Sequence, residues 1–75
     1  MVELVRYIAT SLVEKPEAVE VRETENEDKV IIELSVDPDD MGKVIGKQGR
    51  IAKAIRTVVK AASARDEKPV FVEIV

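Results

Sequence analysis

The sequence contains no cysteine and no histidine among its 75 residues. Without thiols the chain can form no disulfide and offers no thiolate to a metal ion. The lack of histidine removes the side chain that most often serves as a general base or as a metal ligand near neutral pH. Aromatic residues are nearly as scarce, with one Tyr, one Phe and no Trp. These absences argue against redox chemistry and against most kinds of catalytic centre.

Long apolar runs are also missing, so the sequence predicts no membrane-spanning segment. Residues 1–14 have apolar residues at helical spacing, but they include three charged residues and lack a signal-peptide core. Apolar residues make up 45% of the chain, which is enough for one small core. We therefore expect a single domain over residues 1–75, located in the cytoplasm and working without a cofactor or metal.

Charge is distributed unevenly along the chain. The net charge is −3, yet residues 41–65 contain seven Lys or Arg and no Asp or Glu. The remainder of the chain is therefore strongly acidic. Local charge matters more than net charge for binding an anionic partner, so residues 41–65 are the candidate contact region for a polyanion.

Hydrophobic periodicity predicts a helix followed by a β-hairpin. Apolar residues at helical spacing indicate a first helix that ends before Pro16. Alternating residues at 19–21 and 30–36 predict two strands. We expect the acidic residues between them to form a solvated hairpin tip: Glu23, Glu25, Glu27 and Asp28.

A helix pair and a final strand follow the hairpin. Asp37 can cap a helix that begins at Pro38 and must be short, because Gly46 arrives within about two turns. A second helix is predicted from about Arg50 to Ala64, with a buried stripe of Ile51, Ile55, Val58 and Ala62. Residues after Pro69 predict a strand. The order α-β-β-α-α-β favours an α+β fold whose three-stranded mixed sheet is covered on one face by helices.

Gly46, Lys47, Gln48 and Gly49 form a loop between the paired helices. Glycine allows a positive φ and close approach to a ligand, and the N-terminus of the next helix attracts anions. The loop is not a P-loop, because Arg50 and Ile51 follow Gly49. It is not a dinucleotide fingerprint, because Val44 stands where the first glycine is needed. A plain helix–turn–helix connection is the alternative, and the two glycines flanked by cations favour a phosphate-binding loop over it.

The second helix carries a basic stripe of Arg50, Lys53, Thr57 and Lys60 at helical spacing. Ordinary solvated helices mix the two charge signs, because pairs of opposite charge stabilise them. We expect phosphate contact from the cations nearest the loop, which are Lys43, Lys47, Arg50 and Lys53. Lys60 and Arg65 lie farther away and are better explained as solvated cations. Tyr7 and Phe71 lie in segments that we expect to be core, leaving few platforms for base stacking.

The residues Val44–Gly49, V-I-G-K-Q-G, resemble the V-I-G-x-x-G signature of KH domains, and the element order resembles the type II, prokaryotic form. Over its whole length the chain is similar to the small bacterial KhpA family of RNA-binding proteins. The resemblance implies a groove for about four nucleotides of single-stranded RNA. It assigns Gly46–Gly49 to the sugar–phosphate backbone and Ile45 to the groove wall. Ala52 departs from the family pattern, in which a larger aliphatic residue is common, and we expect it either to widen the groove or to weaken the contact with bases.

The resemblance further implies a homodimer, or pairing with a second KH-containing protein of the Jag/KhpB type. The leading hypothesis is a non-enzymatic RNA-binding protein acting as an RNA chaperone or post-transcriptional regulator. The alternative is an assembly module whose RNA contact is secondary or supplied by a partner. We also expect aspartates at positions 46 and 49 to block RNA without disturbing the core.

Overall fold

The first helix, α1, runs Val2–Leu12, and the computed structural model describes residues 1–75 throughout. The helix ends at Val13, whose backbone is extended and whose N–H donates to the Ala9 carbonyl. Val5 and Ala9 are fully buried on its inner face. A single 3₁₀ turn, Pro16–Ala18, then leads the chain into the sheet.

The sheet has three strands: β1 is Glu20–Glu25, β2 is Val30–Ser35 and β3 is Val70–Ile74. Their spatial order is β1-β2-β3. β1 pairs antiparallel with β2, and β3 pairs parallel with β2. A parallel neighbour requires a crossover, which the helix pair between β2 and β3 provides. The sheet is therefore mixed, as the sequence predicts.

The crossover begins with a 3₁₀ turn, Pro38–Asp40, which Asp37 caps by accepting the Asp39 N–H at 2.9 Å. Helix α2, Met41–Ile45, follows directly and is only five residues long. Residues Lys47–Gly49 form another tight turn, and α3 then runs Arg50–Ala62. The predicted cap, the short helix and the position of the glycine loop are all confirmed.

The helices cover one face of the sheet, where the hydrophobic core lies. Ile32 and Leu34 of β2 are fully buried, and Val72 of β3 lies beside Ile32 in register. Helix α3 supplies Ile55 and Val59 to this core, and its Ala52 is also buried. The opposite face of the sheet has no helix over it and includes Ile31 and Phe71, which are register partners.

Three local expectations are wrong. Val58 is 45% exposed and Ala62 is also exposed, because the buried stripe of α3 is rotated to Ala52, Ile55 and Val59. Tyr7 and Phe71 are 72% and 51% exposed, so neither is a core residue. β1 extends to Glu25, so two of the acids expected at the hairpin tip, Glu23 and Glu25, lie within the strand.

Candidate nucleic-acid interface

The loop between α2 and α3 departs from ordinary backbone geometry at three of its residues. Gly46 has φ 76° and ψ 173°, a region that only glycine adopts readily. Gln48 and Gly49 are both left-handed, with φ of 59° and 74°, and Gln48 is the one non-glycine residue of the chain with positive φ. These torsions turn the chain sharply between the helices and leave the Lys47 and Gln48 side chains exposed.

Two backbone hydrogen bonds hold this turn together. The Gly46 N–H donates to the Gly42 carbonyl at 2.8 Å, and the Gly49 N–H donates to the Gly46 carbonyl at 3.1 Å. Helix α3 starts directly afterwards, so its first-turn N–H groups and the positive end of its dipole lie at the loop. The loop is therefore an ordered, electropositive edge at which a phosphate group can approach the backbone.

Three of the four basic residues predicted at this edge have no acidic partner. Lys47, Arg50 and Lys53 are exposed, and none of them takes part in any of the ion pairs of the structure. Among the seven cations of residues 41–65, only Lys43 is paired with a carboxylate. The positive charge of this region is thus left available to an external anion.

The Lys43 side chain, in contrast, is paired with two carboxylates. Its ammonium lies 3.1 Å from Glu14 and 3.6 Å from Asp40. The Glu14 carboxylate, followed by that of Asp40, raises the pKa of Lys43 above its ordinary value despite partial burial. Lys43 therefore connects α2 to the segment that follows α1, and it is less free than its neighbours to reach a phosphate.

Asp40 is the buried polar group that fixes this side of the site. It is 2% exposed and accepts the backbone N–H groups of Glu14 and Lys15 at 3.2 and 3.0 Å. Burial acts to raise the pKa of Asp40, but these two N–H donors and the Lys43 ammonium outweigh it and lower the pKa below its ordinary value. A charged Asp40 thus anchors the start of α2, on which the loop depends, to the chain leaving α1.

The apolar residues expected beside the loop lie at the edge of the core. Ile45 is half-buried and packs against the core cluster. Ile51, at the start of α3, is also half-buried and packs against the same cluster. Ala52 is 5% exposed and lies on the buried side of α3 with Ile55 and Val59. Its small size therefore affects how closely α3 packs on the rest of the protein, and its effect on the width of a groove stays a prediction.

A cleft of about 460 Å³ lies between the second half of α3 and the outer edge of β3. Arg56 and Lys60 border it on the helix, and Val70, Phe71 and Val72 border it on the strand. The Arg56 Nε donates to the Val72 carbonyl at 3.2 Å. Arg56 was not predicted as a site residue, because it lies outside the basic stripe of Arg50, Lys53, Thr57 and Lys60. Its position one turn beyond Lys53 on the same flank is the signal that identifies it.

No cluster of three or more His, Cys, Asp or Glu is arranged to hold a metal ion. The acids at 37–40 have other partners. Lys15 lies 3.3 Å from Asp39 and 3.7 Å from Asp37, and these two carboxylates raise the pKa of Lys15. None of the helices has the length and hydrophobicity of a membrane-spanning segment.

The order α-β-β-α-α-β, the mixed sheet and the G-x-x-G loop between paired helices define a KH domain of type II. The family model described as "KhpA/KhpB, KH domain" matches residues 2–74. The chain belongs to this family. Relatives named RNA-binding protein KhpA are 65% identical in Clostridium perfringens and 61% identical in Caldanaerobacter subterraneus, each over the full length of both chains. The relative in Listeria monocytogenes is 47% identical over all of this chain and 99% of its own.

Solved structures of Era share the fold. Aquifex aeolicus Era bound to GDP and AlF4⁻ superimposes with a TM-score of 0.68 at 25% identity over 97% of this chain. Era in complex with MgGDPNP and nucleotides 1506–1542 of 16S ribosomal RNA gives a TM-score of 0.60 at 27% identity over 99% of this chain. The chain spans 28% and 30% of those two Era chains, so the likeness concerns one part of Era.

Proposed function

We propose that the chain is a non-enzymatic module for single-stranded RNA, working over residues 1–75 as one KH domain. The observation that carries this is the loop Gly46–Gly49 at the N-terminus of α3, where Lys47, Arg50 and Lys53 have no carboxylate partner. The loop backbone and these cations hold the sugar–phosphate chain. Ile45 forms the apolar wall beside it, and Lys43 contributes charge from its inward position.

The relatives support this assignment of the ligand. The full-length matches carry the name RNA-binding protein, and an Era structure that contains the same fold holds a segment of 16S ribosomal RNA. KH modules clamp about four nucleotides through a G-x-x-G loop. Because backbone contacts dominate, we expect broad sequence tolerance, which suits an RNA chaperone or a post-transcriptional regulator in the bacterial cytoplasm.

A second part of the proposal is self-association through the helical layer. Val58 on α3 is 45% exposed, and Ala54, Ala61 and Ala62 beside it are exposed too. At about 100° per residue, Val58 and Ala62 lie about 140° and 180° around the helix from Lys53, whereas Ala54 and Ala61 lie beside Arg50. A second copy, or a KhpB-type protein with the same fold, can dock on Val58 and Ala62 without covering Lys53, Arg56 or Lys60. Pairing two weak RNA sites raises the effective affinity.

The exposed apolar flank also favours the alternative function, in which the chain is chiefly an assembly module and RNA contact comes from its partner. The two proposals differ in what the isolated chain does. The RNA-binding proposal requires the chain to bind RNA by itself through its own loop. The assembly proposal requires only that it binds its protein partner.

A matched pair of loop variants tests RNA binding. Asp and Asn tolerate positive φ, so Gln48 can be replaced by either with little strain. We compare Lys47→Asp/Gln48→Asp with Lys47→Asn/Gln48→Asn, which differ only in carboxylate against amide groups. Binding of a fluorescein-labelled single-stranded RNA is followed by anisotropy, with circular dichroism and sedimentation confirming the fold and oligomeric state.

We expect the wild type to bind, the Asn variant to bind more weakly, and the Asp variant to lose most of its affinity. The carboxylates would repel phosphate at the point where it meets the loop. Equal affinities for the Asp and Asn variants would overturn the loop as the binding site. A folded wild-type protein that binds no RNA would favour the assembly module.

A further inference from the structure

Phe71 is the only phenylalanine of the chain, and it lies on the surface. Side chains alternate along β3, so Phe71 faces away from Val72, which is buried under the helices. The ring thus sits on the sheet face that no helix covers, and it is 51% exposed. An exposed aromatic ring on an edge strand contributes little to the core, which raises the question of what it contacts.

The ring borders the cleft between α3 and β3. That cleft is also lined by Val70 and Val72, whose side chains point toward the helices, so it must run along the outer edge of β3. Its apolar floor is flanked by Arg56 and Lys60. Asp66 and Lys68 lie at the other end, and Lys68 is already paired with Glu25 at 2.8 Å.

Charge and shape favour a nucleobase as the occupant. Neither Arg56 nor Lys60 has a carboxylate partner, so the cleft offers an aromatic surface beside uncompensated cations. The Lys29 ammonium lies over the Phe71 ring, 5.9 Å from its centre, and Lys29 does not line the cleft; the ring is still half-exposed. Single-stranded nucleic acid is held by this combination of basic groove and stacking platform.

The cleft is also in line with the loop. Helix α3 begins at the loop with Arg50, and Arg56 follows six residues later, which is roughly 9 Å at about 1.5 Å of rise per residue. Lys53 lies between them on the same flank. A strand held at the loop can therefore follow this flank and reach the cleft with its phosphates near cations throughout.

We propose that Phe71 is a stacking platform for one base of the bound RNA, beyond the nucleotides held by the loop. This inference rests on the proposed function, because it concerns the same RNA strand. Base stacking on an aromatic ring tolerates every base, so the platform adds affinity and lengthens the binding site without imposing a sequence.

Fluorescence of 2-aminopurine tests the platform directly, since the fluorophore is quenched when it stacks. We use RNA of about eight nucleotides, longer than the ~four held by a KH loop, with 2-aminopurine replacing one base at a time. Each RNA is titrated with wild type, Phe71→Leu and Phe71→Tyr. Leucine keeps the apolar surface without the ring, and tyrosine keeps the ring. Circular dichroism and urea unfolding confirm that both variants are folded.

We expect one position to be quenched by wild type and by Phe71→Tyr and to recover its fluorescence with Phe71→Leu. Affinity for the long RNA should fall about tenfold in Phe71→Leu, while that for an RNA of about four nucleotides stays near wild type. If Phe71→Leu binds RNA as wild type does and changes the quenching at no position, while the loop Asp variant loses binding, the platform is overturned and the proposed function stands. Absence of RNA binding by wild type overturns both.

Discussion

The side chain of Ile51 fills the space in which a Cβ on residue 46 would lie. A Cβ built on Gly46 would come within 2.6 Å of the Ile51 Cγ1 atom, whereas one on Gly49 would meet nothing within 4 Å. Position 46 therefore requires glycine because of both close packing and its backbone torsions, whereas position 49 requires it because of its torsions alone. The start of α3 and the loop Gly46–Gly49 are thus packed as one unit.

Gly46→Ala should destabilise the protein more than Gly49→Ala. Alanine at position 46 needs both a glycine-only backbone and a shift of Ile51, and overpacking alone typically costs about 1–3 kcal/mol. Alanine at position 49 meets only the left-handed penalty of about 1–2 kcal/mol. Urea unfolding of the two variants measures the difference. Equal losses of stability would contradict the packing of Ile51 against Gly46.

The same packing predicts coupling between the two positions. Ile51→Ala removes the Cγ1 atom that a Cβ at position 46 would meet first. The double variant Gly46→Ala/Ile51→Ala should therefore lose less stability than the sum of the single variants. The expectation that aspartates at positions 46 and 49 leave the core undisturbed also needs correction, because Gly46→Asp would displace Ile51 at the edge of the core. A loss of RNA binding in that variant could not be distinguished from unfolding.

Asp40 makes stability depend on acidic pH. Its pKa in the folded protein lies below its ordinary value of 3.8, because the Glu14 and Lys15 N–H groups and Lys43 favour the carboxylate over the cost of burial. The folded state binds this proton less readily than the unfolded chain does. The contribution of Asp40 is thus fully present above the ordinary pKa and is lost as pH falls through the folded value.

Asp40→Asn removes this charge and turns one acceptor into a donor facing a backbone N–H. We expect a melting temperature several degrees lower at neutral pH and a shallower loss of stability below pH ~4 than in wild type. Thermal unfolding across the acidic range measures both. The other carboxylates titrate in both proteins, so a wild-type-like acid slope in Asp40→Asn would show that Asp40 is not the group responsible.

Self-association through Val58 gives a further prediction. Val58→Glu places a charge in the proposed contact and should convert a dimer to monomers, as followed by sedimentation equilibrium. Thr57→Glu is the matched control, because it makes the same charge change one residue away, outside the apolar flank. A wild type that is monomeric at all concentrations, or a dimer that survives Val58→Glu, would rule out this contact surface.

The sequence predicted the element order, the mixed sheet and the glycine loop because each depends on local signals. Asp37–Pro38 signals the helix start, and the two glycines mark the turn. It mispredicted Val58 because hydrophobicity alone does not set the rotation of α3: Ile55 is buried as predicted, but Ala52 and Val59 are buried in place of Val58 and Ala62. Phe71 was assigned to the core because its strand is dense in apolar residues, and the sequence does not show that the helices pack on the Val72 face and leave the Phe71 face uncovered.

The sequence could not predict the ion-pair partners of the cations, for a different reason. Whether Lys43 is free depends on Glu14 and on Asp40, and Glu14 lies far from it in the chain. The structure leaves Lys47, Arg50 and Lys53 unpaired and brings Arg56 to the edge of β3. The assignment of these cations to RNA remains a prediction, and its electrostatics can be measured.

The salt dependence of RNA affinity tests the central claim most directly. With about three phosphate contacts, the slope of log affinity against log salt should be near −2 for single strands. For an RNA of about four nucleotides, Lys47→Gln/Arg50→Gln/Lys53→Gln should bring it close to zero, while Arg22→Gln, on the distant strand β1, should leave it unchanged. A flat wild-type slope, or a triple variant that keeps the wild-type slope, would contradict phosphate binding at the loop.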